Sequence, residues 1–129
     1  MVKFKSTNSI CLFVFCCATV ANSSAAQEFL SAEELLATIP GATLTGISNE
    51  DQKTRWVQHY QSGDRSGTAA GEFNGRSYTS QWSVRRGLWC EEWSNRSGCW
   101  RMERISETEL QPWQGARKLP NTWSIVPVE

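Results

Sequence analysis

From Arg76 to Val84 the chain alternates without a break: Tyr78, Ser80, Trp82 and Val84 fall on one side, Ser77, Thr79, Gln81 and Ser83 on the other. A period of two is the signature of a half-buried strand, because successive side chains of extended backbone point to opposite faces. Asn74-Gly75 stands directly before it. That dipeptide is the strongest short-range hairpin signal, since both central positions of a type I′ turn need positive φ. An antiparallel hairpin is therefore built into the middle of the chain, and the rest must pack against it.

The same reading extends outwards. Strands are predicted over residues 42–47, 55–61, 68–73, 76–84, 88–93, 99–105 and 122–128, with a weaker one around 110–113. In Arg55–Gln61, Trp56 and Tyr60 share one side, Val57 and His59 the other. Ser62–Gly67 and Gly115–Pro120 read as loops, and Pro127 places the last strand at an edge or ends it early. Only Ser31-Ala32-Glu33-Glu34 announces a helix. It is a capping box followed by Leu35, Leu36 and Ile39 and stopped by Pro40-Gly41, and it predicts a helix over 32–38 with Phe29 as the entry staple. The fold class expected is all-β: about eight antiparallel strands in a meander, closed into a small up-and-down, lipocalin-like barrel, with one short N-terminal helix. Closure removes exposed strand edges. An open sandwich is the alternative.

The N-terminus belongs to none of this. Lys3 and Lys5 precede an apolar run from Ile10 to Ala21, and small residues follow to Ala26. That order is a signal peptide, and the run is shorter than the roughly 20 residues that span a bilayer. An uncleaved anchor is the alternative. Phe15 before Cys16 argues against a lipid-attachment signal. Residues 1–26 are thus read as a signal peptide and 27–129 as a single domain, periplasmic or secreted, with no transmembrane segment in the mature form. Three of the five cysteines lie in the signal, and Cys90 and Cys99 remain. In an exported chain such a pair reads as a disulfide. With His59 the only histidine, two free thiols or half a zinc site are the weaker alternatives.

Without residues 1–26 the chain keeps 11 basic and 13 acidic side chains. That near-neutral balance argues against nucleic acid, whose binding rests on phosphate neutralisation. Arg85, Arg86, Arg96, Arg101 and Arg104 read as solvated strand ends and cross-strand pairs with Glu91, Glu92 and Glu103. Glu91-Glu92 is not an acid/base pair, because adjacent strand residues face opposite sides. No nucleophile–base constellation, phosphate loop or metal cluster is recognisable, so the expectation is a protein that is not an enzyme, with no cofactor and no metal. All seven tryptophans lie beyond residue 26, while Leu, Ile and Val are sparse. Most Trp are therefore assigned to the core. If Cys90 opposes Cys99, then Trp89 opposes Trp100 on the inner face and the disulfide lies on the outer or capping side. Trp56, Trp113 and Trp123 are the candidate ligand-binding residues, with Trp113 beside Pro112 the best candidate for exposure.

Gly67-Thr68-Ala69-Ala70-Gly71, Gly75-Arg76, Trp82-Ser83-Val84, Leu88-Trp89-Cys90 and Cys99-Trp100 follow one another in an order that resembles a family of small secreted alphaproteobacterial proteins of unknown function. Leu30–Leu36, Pro40-Gly41 and Thr45-Gly46 are similar too, so the resemblance spans most of residues 28–105. It implies a periplasmic or secreted bacterial protein and no particular activity. Where the chain has Ser80, that family's pattern has glycine. In architecture alone the expected barrel resembles lipocalins, which bind small apolar ligands in the barrel mouth, and small periplasmic protease inhibitors, which use an N-terminal arm. The function expected is thus a non-catalytic cell-envelope protein, a monomer, that binds a small apolar ligand or a glycan. The alternative is a protein–protein module whose partner is an envelope protein, such as a periplasmic enzyme that it inhibits.

Overall fold

The computed structural model describes residues 27–129; the proposed signal peptide, 1–26, lies outside the described residues. Helix α1 (Ala32–Thr38) precedes strands β1 (Thr43–Ile47), β2 (Arg55–Tyr60), β3 (Ser66–Phe73), β4 (Arg76–Arg85), β5 (Leu88–Trp93), β6 (Arg96–Ser106), β7 (Glu109–Gln114), β8 (Arg117–Lys118) and β9 (Trp123–Ile125). The strands from β1 to β7 pair antiparallel in chain order, and β9 lies between β7 and β1. The result is a closed eight-stranded antiparallel barrel, with β8 a short ribbon appended to β7. Closure decides between the two architectures the sequence allows: no strand of the barrel wall is left as an edge along its whole length.

Local chemistry explains the hairpins. Asn74 and Gly75 have φ of 50° and 74°, the positive pair of a type I′ turn, and Arg86-Gly87 repeats this at 52° and 74°. The third hairpin is tighter than expected. β5 and β6 are joined through Ser94-Asn95 alone, and β6 starts at Arg96 rather than Cys99 because pairing continues out to Trp93 opposite Arg96. β3 likewise starts at Ser66, within the expected loop, because Ser66 and Gly67 pair with Ser83 and Trp82. At the other end, β9 stops at Ile125, two residues before Pro127, and it is an inner strand of the wall rather than an edge. Pro112, which lacks a ladder donor, sits where β7 passes from pairing with β9 to pairing with β8.

The disulfide joins Cys90 to Cys99, directly opposed in the β5–β6 ladder. Trp89 is opposite Trp100 one step away. Trp89 is fully buried and Cys99 exposed, so the bridge lies on the outside of the barrel and the indoles on the inside.

Helix α1 stoppers one end. The Glu34 amide donates to Ser31 Oγ at 3.2 Å, the N-cap bond the sequence calls for. Leu35 and Ile39 are completely buried and join Leu44, Ala69, Val84, Met102 and Leu110 in the core. The staple residue is Leu30, not Phe29: Leu30 belongs to that core. Phe29 instead lies outside, 5.9 Å from Trp113 and under the Arg101 guanidinium. The reason is pairing. Residues 28–30 lie along β6, with Leu30 N donating to Met102 O at 2.8 Å and Arg104 N to Glu28 O at 2.9 Å. Strand alternation then turns Leu30 inwards and Phe29 outwards.

Candidate functional site

Inside the barrel the aromatic residues divide into two layers. Next to the helix, Trp82 and Trp89 stack with centroids 5.0 Å apart and planes 15° from parallel, and Tyr60 meets Trp89 edge-on at 5.3 Å. These rings fill the section they occupy. Towards the open end, Trp56, Trp123, Trp100 and Trp93 form a continuous edge-to-face chain with spacings of 5.3, 5.4 and 5.9 Å. These four stay on the wall. They enclose a cavity of about 450 Å³ that is also lined by Phe73, Tyr78, Gln58, Tyr60 and Glu91. This is the size range of small-molecule sites.

Small residues explain why large rings leave space. Gly46 faces inwards opposite Trp56, and a Cβ on it would lie 2.5 Å from the indole. Gly71 opposes Tyr78, and its Cβ would lie 2.3 Å from the phenol ring. Each ring therefore lies down over bare backbone instead of projecting across the barrel. Trp100 covers Gly98 in the same way.

The floor of the cavity is polar. Glu91 is 2% exposed, and its Oε1 accepts from Tyr60 Oη and, at 2.8 Å, from Trp89 Nε1. Its Oε2 accepts from Gln58 Nε2 at 3.0 Å. Gln58 Nε2 also donates to Tyr60 Oη, and Tyr78 Oη donates to Gln58 Oε1, each at 2.5 Å. Burial pushes the Glu91 carboxyl above the ordinary glutamate value, against the pull of its Tyr60, Trp89 and Gln58 donors. Burial and the neighbouring carboxylate raise Tyr60 well above the usual phenol range and push Tyr78 up to about 12. Ser80 continues β4 without a break. Its hydroxyl is the one buried side-chain oxygen or nitrogen among the described residues without a hydrogen-bond partner.

Glu91 corrects the sequence reading, which places it on the surface among cross-strand charge pairs. Glu92 is the residue that pairs outside, with Arg85 at 4.0 Å. Glu91 stands two residues from both Trp89 and Trp93, so it shares their inward face. That alternation was the signal that could have found it. Two further parts of the polar floor, Gln58 and Tyr60, lie on the Trp56 face of β2 by the same rule, and Tyr78 lies on the Trp82 face of β4.

At the mouth, Ser48, Asn49 and Glu50 approach Trp93, Ser94 and Arg96, and Arg96 forms an ion pair with Glu50. The loop carrying Glu50 is held by Asp51, whose Oδ1 accepts from the Lys53 and Thr54 amides, each at 2.9 Å, and whose Oδ2 accepts from Thr54 Oγ1. These bonds hold Asp51 at a pKa of about 2.

Of the candidate ligand-binding residues, Trp56 and Trp123 line the cavity. Trp113 does not. It is half-buried on the outer side against Phe29, and its indole N–H donates to Glu103 Oε2 at 2.8 Å. His59 lies on the outer face, with Nδ1 2.7 Å from Thr43 Oγ1. Among the described residues no group of three or more His, Cys, Asp or Glu is arranged to hold a metal, and no helix is long and apolar enough to cross a membrane.

The fold and site define a barrel stoppered by a helix at one end and opening at the other into an aromatic cavity with a carboxylate floor. No protein-family model, curated protein or solved structure matches the chain.

Proposed function

We propose that the protein is an exported, non-catalytic binding protein of the cell envelope that holds a small, partly apolar molecule inside its barrel. The observation that carries this reading is the 450 Å³ cavity between Trp56, Trp93, Trp100 and Trp123. A barrel whose only task is to be stable gains by filling that volume, since interiors pack to near-crystalline density. Here the glycines opposite the rings hold it open. Export accounts for the N-terminal sequence pattern and for a disulfide in so small a domain. The rival reading, an inhibitor acting through residues 27–31, draws less support, because Glu28 and Leu30 are tied by backbone bonds to β6.

Trp fluorescence against a panel of metabolites and short glycans tests the proposal. At least one class of compound is expected to shift the emission saturably. Trp123→Leu should weaken that binding at least tenfold, whereas Trp113→Phe, outside the cavity, should leave it unchanged. A panel with no saturable binder, or binding indifferent to Trp123→Leu, would refute it.

A further inference from the structure

The floor of the cavity has a hydrogen-bonding polarity that restricts what can sit on it. Glu91 only accepts when ionised, which fixes the Gln58 amide with its nitrogen towards the carboxylate. Both protons of that nitrogen are then used, on Tyr60 Oη and Glu91 Oε2. The Tyr60 hydroxyl proton goes to Glu91, the Trp89 indole proton to Glu91, and the Tyr78 hydroxyl proton to Gln58. Every donor of this cluster is spent. What remains is acceptor capacity: Glu91 Oε2 takes a single protein donor, and a carboxylate oxygen has room for two. A ligand group resting on this floor must therefore donate or carry positive charge.

The charge count points the same way. Among the described lining residues the ionisable side chains are Glu91 at the floor, Glu50 and Arg96 at the mouth, and the two tyrosines. Arg96 is exposed and committed to Glu50. The Glu91 carboxylate consequently has no cationic side chain opposite it, and a buried charge left in that condition is costly. The walls supply the second half of a cation site. Trp56, Tyr78 and Trp100 each lie over a wall glycine and line the cavity. Aromatic faces attract cations through the ring quadrupole, and desolvation strengthens that attraction.

Building on the binding role proposed above, we infer that the ligand is an organic cation, an amine or quaternary ammonium group on a small apolar body, seated between the Trp56, Tyr78 and Trp100 rings with Glu91 as its counter-ion. An anion would meet an unneutralised carboxylate, and a neutral apolar molecule would leave Glu91 uncompensated.

Three probes of nearly the same shape separate the possibilities: choline, its neutral carbon analogue 3,3-dimethylbutan-1-ol, and the anion 3,3-dimethylbutyrate. Titrated into the full mature protein and followed by Trp fluorescence and calorimetry, choline is expected to bind at least tenfold tighter than the alcohol, and the anion not to bind. Glu91→Gln, which keeps shape and removes charge, should erase the preference for choline over the alcohol. If that variant does not fold, the ranking of the three probes on the unaltered protein decides. Equal binding of choline and the alcohol, or tighter binding of the anion, overturns the cation assignment and leaves the binding role standing. If none of the three binds while only uncharged or anionic compounds of the broader panel do, the cation assignment again falls alone. If nothing in either set binds, both fall.

Discussion

At the scale of single residues, Glu91 governs the behaviour of the molecule. Burial strips hydration from the Glu91 carboxylate that its Tyr60, Trp89 and Gln58 donors only partly replace, and its folded-state pKa is raised accordingly. The sign of the linkage follows. A raised folded-state pKa contributes stability that is fully present below the ordinary glutamate range, near 4.3, and is lost as pH rises through the higher folded value. Tyr60 and Tyr78 are pushed above the usual phenol value and stay neutral over this range. At the mouth, Asp51 acts in the opposite sense, contributing stability above the ordinary aspartate range that is lost as pH falls towards about 2. It is common to wild type and to Glu91→Gln, so it drops out of their difference, as do the mouth's Glu50 and Arg96. Urea titrations of the two proteins between pH 4 and pH 8 should show Glu91→Gln gaining on wild type as the pH rises. A difference that stays flat across the range would show that Glu91 titrates as an ordinary surface acid.

At the scale of elements, the β3–β4 hairpin carries the clearest local instruction. Asn74 at φ 50° and Gly75 at φ 74° occupy conformations that cost an ordinary side chain energy. Space is not the issue at Gly75, because a Cβ there would meet nothing within 4 Å. The effect of Gly75→Ala is therefore purely conformational, and a loss of about 1 kcal/mol in equilibrium unfolding is expected. An unchanged unfolding midpoint would mean that the turn adopts another type. Gly46 and Gly71 differ in kind: their constraint comes from the rings above them, which is why the same residue type serves a turn at one place and a cavity wall at another. The helix is an element whose ends were readable from Ser31 and Pro40. Its role as a stopper was not, because that depends on which barrel end the chain reaches after residues 28–30 pair with β6.

At the scale of the whole molecule, the barrel is closed by short β9 between β1 and β7, while the disulfide clamps the wall at β5–β6. A bridge across so short a loop restricts the unfolded chain by about 2.7 kcal/mol in the chain-entropy model. Reduction, or Cys90→Ser with Cys99→Ser, should lower the stability by about that amount without changing the β-type dichroism spectrum. Intact mass of the mature protein reads the same feature together with export. A chain lacking residues 1–26 that gains two hydrogens on reduction is expected. A mass that retains the N-terminal lysines, or thiols that alkylate without reductant, would contradict it.

The sequence by itself determined the barrel strands apart from the starts of β3 and β6, the main turn, the short helix, the Cys90–Cys99 pairing and most of the inward residues, because each depends on neighbours within a few positions or on a period of two; the short β8 lies in the expected 115–120 loop. Even Glu91 was placed on the inward face by that period, flanked by Trp89 and Trp93; what hid it was the habit of reading a charged pair as solvent-facing. Closure, the cavity and the polar floor were decided only by the tertiary structure. They depend on Gln58, Tyr60, Tyr78 and Glu91 converging from three strands. They depend equally on Gly46 standing opposite Trp56 across a longer loop, a register that no local pattern encodes; the Gly71–Tyr78 pairing follows from the two-residue Asn74-Gly75 turn, but what Tyr78 reaches does not. The same limit explains Trp113: alternation and a neighbouring proline set it apart from the other tryptophans, but only the path of residues 28–30 along β6 covered it with Phe29, while Trp56, Trp93, Trp100 and Trp123 line the cavity. Seven tryptophans in a small domain fit a filled core or an aromatic cavity equally well, and the rings lying flat over glycine backbone are the physical reason this chain has the cavity.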